Sequence, residues 1–170
     1  NQVVADLEPM LRRTIRENVD IELHLEPSLP PIQGDAGQIE QIILNLAVNA
    51  QDAMIDGGVL AIETSAATLR EPDLTEADAT PGRYVVMAIR DNGVGMDEAT
   101  LSRAFEPFFT TKQTGRGTGL GLSTVYGIVK QHGGHITVAS EVGKGTAIRV
   151  CFPQSPEAPE PDSLPASPGS

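Results

Sequence analysis

Glycine occupies every second position in Gly115-Arg116-Gly117-Thr118-Gly119-Leu120-Gly121, and an apolar run beginning at Leu122 follows at once. Four alternating glycines cost conformational entropy to order, and they do not have the spacing of a dinucleotide-binding turn. Any fold open to this chain must therefore lead an extended glycine loop into the start of a helix. At such a start, free backbone amides and the helix dipole both favour an anion, so the segment predicts a phosphate cradle. Lys112 and Arg116 flank it and supply cations. A merely flexible turn is the alternative, and the repetition of glycine weighs against it.

The rest of the chain supplies the elements around that loop. Val3 to Ile15 has helical spacing, with Val4, Leu7, Leu11 and Ile15 on one face. Val19 to Leu25 alternates as a strand with Ile21, Leu23 and Leu25 on one side. Asp35 is placed to cap a helix reaching Met54, with Ile39, Ile42, Ile43, Leu46, Ala50 and Ala53 as its buried face. A turn at Asp56-Gly57-Gly58 precedes a strand over Val59 to Thr64, and the polar residues 68–81 read as a surface loop. Further strands are expected at Arg83 to Asp91, Ile136 to Ser140 and Thr146 to Phe152, with a helix over Leu120 to His132. Helices alternating with hairpin-like strands predict an α+β two-layer sandwich, a mixed sheet with helices on one face.

A chain of 170 residues is the size of one domain with a substantial core. Its first residue is Asn1, not Met, and neither a signal peptide nor a membrane-spanning apolar run is apparent, so a piece of a longer protein is expected. The folded unit is expected over residues 1–152. The segment 153–170, rich in Pro, Ser and Glu, reads as a disordered linker. Cys151, the single cysteine, excludes an internal disulfide and reads as a small buried hydrophobe. The formal charge of −11 argues against DNA or acidic membranes as partners. A polyphosphate ligand would have to be met by local cations, glycine amides and a metal ion.

Three other segments carry chemistry. Asn45 and Asn49 lie four apart in the helix over residues 35–54, so they share a face. Alone, they read as two solvent-facing amides; the functional reading is a pair of oxygen ligands aimed at hydrated Mg²⁺ and its phosphates. Asp91-Asn92-Gly93-Val94-Gly95-Met96 ends a strand. It is either an ordinary turn or a carboxylate that accepts a hydrogen bond from an exocyclic amine such as that of adenine. Phe105-Glu106-Pro107-Phe108-Phe109-Thr110-Thr111-Lys112 holds three of the four phenylalanines. It reads as ordinary core or as an apolar anchor for a loop.

In this order and spacing the four segments resemble the asparagine, aspartate-glycine, phenylalanine and glycine-rich boxes of the histidine kinase catalytic domain. That family sits in a wider ATP-binding group with gyrase B, heat-shock chaperone ATPases and MutL. The resemblance covers residues 1–152 and implies the Bergerat fold, a five-stranded mixed sheet backed by three main helices, with ATP or ADP under a mobile lid at about Phe105 to Thr118. By position it implies Asn49 as the Mg²⁺ ligand, with Asn45 beside the phosphates. Asp91 matches the adenine-reading aspartate, Gly93, Gly95 and Met96 lie under the base, and the hydroxyl of Thr146 supports the same contact. Phe105, Lys112, Arg116 and Thr118, with the amides at Gly117, Gly119, Leu120 and Gly121, match the nucleotide-facing lid. Asn45, Asn49 and Lys112 are the residues implied in transfer. Asp52 departs from the pattern, since many of these kinases carry Lys or Arg there; weight shifts onto Lys112 and Arg116.

The resemblance implies transfer of the γ-phosphate to a histidine on a separate dimerisation and phosphoacceptor domain, homodimeric in the full-length protein. Asn49 to Met54 and Leu122 to Val129 look like hybrid kinases with an attached receiver domain, which the proline-rich tail would link. A cytoplasmic domain is implied, and anchoring of the full-length protein in the inner membrane is compatible with it. The rival is an ATP-hydrolysing domain of the gyrase and chaperone kind. Those enzymes carry a glutamate as general base where this chain has Asn45, which cannot take a proton. An anti-sigma serine kinase is disfavoured by the phenylalanine box, and a nucleotide-binding scaffold by the intact boxes. His24, His132 and His135 lie outside any phosphoacceptor context and are expected to be structural or exposed. Tyr126, one turn before Lys130, is either a boundary tyrosine over the core or a stacking surface for a nucleobase. Resemblance to hybrid kinases that respond to cyclic di-GMP makes that ligand the candidate effector.

Overall fold

Two periodicities, 3.6 and 2, account for the elements of the computed structural model, which describes residues 1–70, 80–107 and 121–155. Helix α1 (Gln2–Thr14) buries Val4, Leu7 and Leu11. Helix α2 (Ala36–Ala53) starts where the Asp35 carboxylate accepts from the Gln38 amide at 3.1 Å, satisfying one of the free N–H groups of a helix start. Its buried face is Ile39, Ile42, Ile43, Leu46, Ala47 and Ala50. Ala47 takes the place expected of Ala53, which is only half-buried. Helix α4 (Gly121–Gln131) buries Val125, Ile128 and Val129, with Leu122 half-buried at its start.

Strands β1 (Val19–His24), β2 (Gly58–Leu69), β3 (Gly82–Asp91), β4 (His135–Glu141) and β5 (Gly145–Pro153) form one sheet in the order β1-β2-β3-β5-β4. The β1–β2 pair is parallel, joined through α2; the other pairs are antiparallel. The sheet is therefore mixed, as expected. Leu60, Ile62, Met87, Ile89, Ile136, Ile148, Val150 and Phe152 form one core with α1, α2 and α4. Among the described residues there is one further helix, the five-residue α3 (Glu98–Ser102), capped by Asp97 accepting from the Thr100 amide at 2.7 Å. Its polar sequence gave no periodic signal.

Two boundaries differ from expectation. Strand β2 runs past Thr64 to Leu69 because β3 pairs it along its whole length, Leu69 opposite Gly82. Residues 71–79 of the expected loop lie outside the described residues. At the other end, hydrogen bonding continues three residues past Phe152: the Gln154 amide donates to the Arg83 carbonyl and the Ser155 amide to the Pro31 carbonyl, at 2.9 and 3.0 Å. The remainder of the expected linker lies outside the described residues.

The opposite face of the sheet has a smaller apolar cluster of Tyr84, Val86 and Cys151. Cys151 is buried, as expected, and burial pushes its thiol pKa up. The Tyr84 hydroxyl donates to the Thr80 carbonyl at 2.6 Å and lies 3.2 Å from His135 Nε2. His135 is buried and His24 exposed. His132 ties two helices together: its Nδ1 is 2.8 Å from the Ile128 carbonyl, and its Nε2 accepts from the Asp35 amide at 3.3 Å. Those two contacts fit the neutral ring with its proton on Nδ1. Among the described residues, no helix is long and apolar enough to cross a membrane.

Candidate nucleotide-binding site

Sheet register lines up the first group of candidate residues. Asp91 at the end of β3 pairs with Thr146 of β5, and Thr146 pairs with Ser140 of β4. All three fall on the side of the sheet that faces the helices, because Ile89, Ile148 and Val138 two residues earlier or later belong to or pack on that core. Asp91 is half-buried, and desolvation raises its pKa above the ordinary carboxylate value. The Gly93 and Thr146 amides pull the other way. One of its oxygens, Oδ1, accepts from the Gly93 amide at 2.9 Å. A carboxylate kept at this cost, with its second oxygen uncommitted to Gly93, is suited to a ligand donor.

The loop after Asp91 is clamped from two sides. The Val94 amide donates to the Ala53 carbonyl at the end of α2, at 2.9 Å, and the Val94 carbonyl accepts from the Gly143 amide of the β4–β5 turn, at 2.8 Å. These contacts account for its glycines. A Cβ at Gly93 would collide with the Ala53 carbonyl, and one at Gly95, where φ is +72°, with the Glu141 carbonyl. Gly93 and Gly95 thus let the chain's own backbone approach, a demand separate from any ligand above them. The Asn92 carboxamide accepts from the Val59 amide at 2.9 Å and fixes the start of β2.

Helix α2 connects this loop to the asparagines. Asn49 lies one turn before Ala53, and Asn45 one turn before that, both half-buried. Gly121, the first residue of α4, sits against the Asn49 side chain: a Cβ built there would lie 3.3 Å from its Nδ2. The start of α4 therefore meets the Asn49 side chain of α2. Asp52 is exposed. Phe105 packs on the core and its ring lies 5.6 Å from that of Tyr126, tilted by 40°. Tyr126 is 40% exposed, with Lys130 Nζ 5.7 Å from its ring centre. Lys112, Arg116, Gly117, Thr118, Gly119 and Leu120, together with Phe108 and Phe109, lie outside the described residues.

An Mg²⁺ ion fits the donors present. Among the described residues no three His, Cys, Asp or Glu side chains converge to cage a metal. An Asn carboxamide oxygen beside an open helix start suits an ion that keeps most of its waters and leans on phosphates.

Two features escaped the sequence reading. Arg16 closes the far end of α2, donating from one guanidinium nitrogen to the Gln51 and Met54 carbonyls, both at 2.8 Å. A cation at a helix C-terminus is favourable, but Arg16 lies 35 residues away from Gln51 and no local pattern announces the contact. Ser140 holds the Met96 amide and lies beside Thr146. Strand alternation puts it on the apolar face, and a hydroxyl there was the available signal.

A mixed sheet backed on one face by three long helices, with a carboxylate at its end and asparagines across from a glycine-fed helix, defines an ATPase-type nucleotide domain. The chain belongs to the family of histidine kinase-, DNA gyrase B- and HSP90-like ATPases, whose profile matches residues 34–156. Within that family its relatives are sensor kinases. It is 44% identical to sensor kinase CckA of Brucella abortus over 171 residues, covering 97% of this chain and 18% of that protein. Among solved structures, the mycobacterial sensor histidine kinase MprB superposes with a TM-score of 0.69 at 25% identity, covering 91% of this chain and 94% of that one. Full-length ShkA in complex with AMPPNP gives 0.66 at 26% identity, covering 91% and 29%. The chain thus spans under a fifth of the length of the first curated relatives it matches.

Proposed function

We propose that this domain binds Mg-ATP and passes its γ-phosphate to a histidine on a separate dimerisation and phosphoacceptor domain of a two-component sensor kinase. The observation that carries the reading is the meeting of Asn49 with the first turn of α4. The adenine amine would be read by Asp91, with Thr146 beside it and Gly93, Gly95 and Met96 shaping the floor. Asn49 would hold Mg²⁺, with Asn45 one turn away and the Gly121 amide at the helix start facing the phosphates. Bound Mg²⁺ supplies charge neutralisation across the transferred phosphoryl group. Lys112, Arg116, Gly117, Thr118, Gly119 and Leu120 complete the phosphate contacts in this reading.

Asn45 cannot accept a proton from water, so this chain positions a phosphoryl group without activating a water to attack it. A histidine brought to the open side of the site is the acceptor such a site serves. The whole protein in this reading is a homodimer through its phosphoacceptor hairpin, with this part cytoplasmic and a receiver domain downstream.

The isolated chain should bind ATP, hydrolyse it very slowly and not label itself. Adding the dimerising helical hairpin in trans should restore histidine phosphorylation from radiolabelled ATP. Stable label on this chain alone would contradict a two-domain mechanism.

A second reading rests on Tyr126, whose exposed ring has Lys130 beside it and Phe105 behind it. A nucleobase could stack on the ring while the cation draws the phosphate. Cyclic di-GMP bound there would bias kinase against phosphatase states by contacting this face or the neighbouring hairpin. Titration of cyclic di-GMP should show saturable binding to wild type and none to Tyr126→Asp. Binding that survives the substitution, or none to either protein, ends this reading.

A further inference from the structure

The end of β4 carries a hydroxyl that the nucleotide reading leaves without a role. Ser140 Oγ accepts from the Met96 amide at 2.8 Å, lies 2.8 Å from Thr146 Oγ1 and 3.1 Å from the Gly145 carbonyl oxygen. A hydroxyl has one proton to donate and two lone pairs to offer. The Gly145 carbonyl can only accept, so the arrangement that satisfies every group sends the Ser140 proton there. The two lone pairs of Ser140 then receive the Met96 amide and the Thr146 hydroxyl proton.

Either hydroxyl could donate on distance alone; in the arrangement that satisfies every group, Thr146 is the donor. With its proton spent on Ser140, Thr146 has only lone pairs left to present. Its neighbour in the register is Asp91, a carboxylate. The end of the sheet is therefore an acceptor-only row, held that way by Ser140.

We propose that Ser140 is a positioning residue for base selection: it turns the Thr146 hydroxyl so that, with Asp91, the site favours a purine carrying an amine over one carrying a carbonyl at the same place. The inference rests on the nucleotide reading above and adds to it the residue that sets the polarity of the base-reading row. A 6-oxo purine would bring a lone pair against lone pairs. Freed from Ser140, the Thr146 hydroxyl could rotate and donate to that oxygen, so discrimination would weaken.

The measurement is the ratio of affinities for ADP and inosine diphosphate, whose carbonyl replaces the amine, by calorimetry on the whole chain. Ser140→Ala should narrow the ratio by roughly five- to tenfold, the worth of about one hydrogen bond. Ser140→Thr, which keeps the hydroxyl and suits a strand, should restore it. Thr146→Val should narrow the ratio too, and adding Ser140→Ala to it should change the ratio no further, since the two act through one hydroxyl. The Thr146→Val and Ser140→Thr arms keep the test decisive if Ser140→Ala folds poorly, because neither contains that alanine. Equal weakening of both nucleotides by Ser140→Ala, with the ratio intact, would overturn the inference and leave the nucleotide site standing. Wild type that binds neither nucleotide would instead bring down the reading beneath it.

Discussion

Asp91→Asn is expected to yield a domain that folds normally and binds neither ATP nor ADP. The reason lies in which oxygen is already used. Asp91 Oδ1 accepts from the Gly93 amide, and an asparagine can keep that bond with its own carbonyl oxygen. Its NH₂ group then stands where the second carboxylate oxygen was, so a donor faces the donor of the adenine amine. Losing a charge-assisted hydrogen bond costs about 1.5–3 kcal/mol, and stranding two donors adds to it. A factor of more than a hundred in affinity is expected, which calorimetry reads as no binding.

The same substitution has an opposite effect on the empty domain. Desolvation raises the Asp91 pKa in the fold, so the folded chain holds that proton more tightly than the unfolded chain. Stability from this group is present at acid pH, below the unfolded pKa, and is lost as pH rises through the raised folded value. Asparagine carries no charge at either pH, so the variant without nucleotide should melt no lower than wild type near neutrality. Nucleotide affinity in wild type should fall as pH drops through the raised pKa. A variant that loses both binding and thermal stability would mean that Asp91 is structural.

How much of this was legible beforehand depended on where each contact partner sits in the sequence. Helix α2 was legible because its cap, Asp35, and its apolar positions are local. So was the shared face of Asn45 and Asn49, which follows from a spacing of four. The row of Asp91, Thr146 and Ser140 was only partly legible, since it is set by the pairing of β3, β5 and β4, which are far apart in sequence. A further demand on Gly93 was not legible for a similar reason: its closest neighbour, the Ala53 carbonyl, is 40 positions upstream and invisible to turn chemistry. The length of β2 was underestimated because residues 65–68, two alanines between a serine and a threonine, carry no alternation of apolar and polar side chains, and it is the pairing with β3 that keeps them extended.

Gly95→Ala should destabilise the domain strongly. Two effects add. The residue has φ +72°, a conformation that costs a non-glycine residue roughly 1–2 kcal/mol. The new Cβ would also fall within contact distance of the Glu141 carbonyl, which is backbone and cannot swing aside as a side chain does. Relief requires the Asp91 loop and the β4–β5 turn to separate, breaking the bond between the Gly143 amide and the Val94 carbonyl. Together these should cost about 2–4 kcal/mol, a fall in melting temperature of roughly 5–15 °C for a domain of this size. Gly143→Ala separates the two causes: φ is +81° there too, but nothing lies within 4 Å of an added Cβ. It should cost only the backbone strain, about 1 kcal/mol. Equal losses in the two variants would mean that the loop and the turn are not in contact, and the clamp on the Asp91 loop would have to be abandoned.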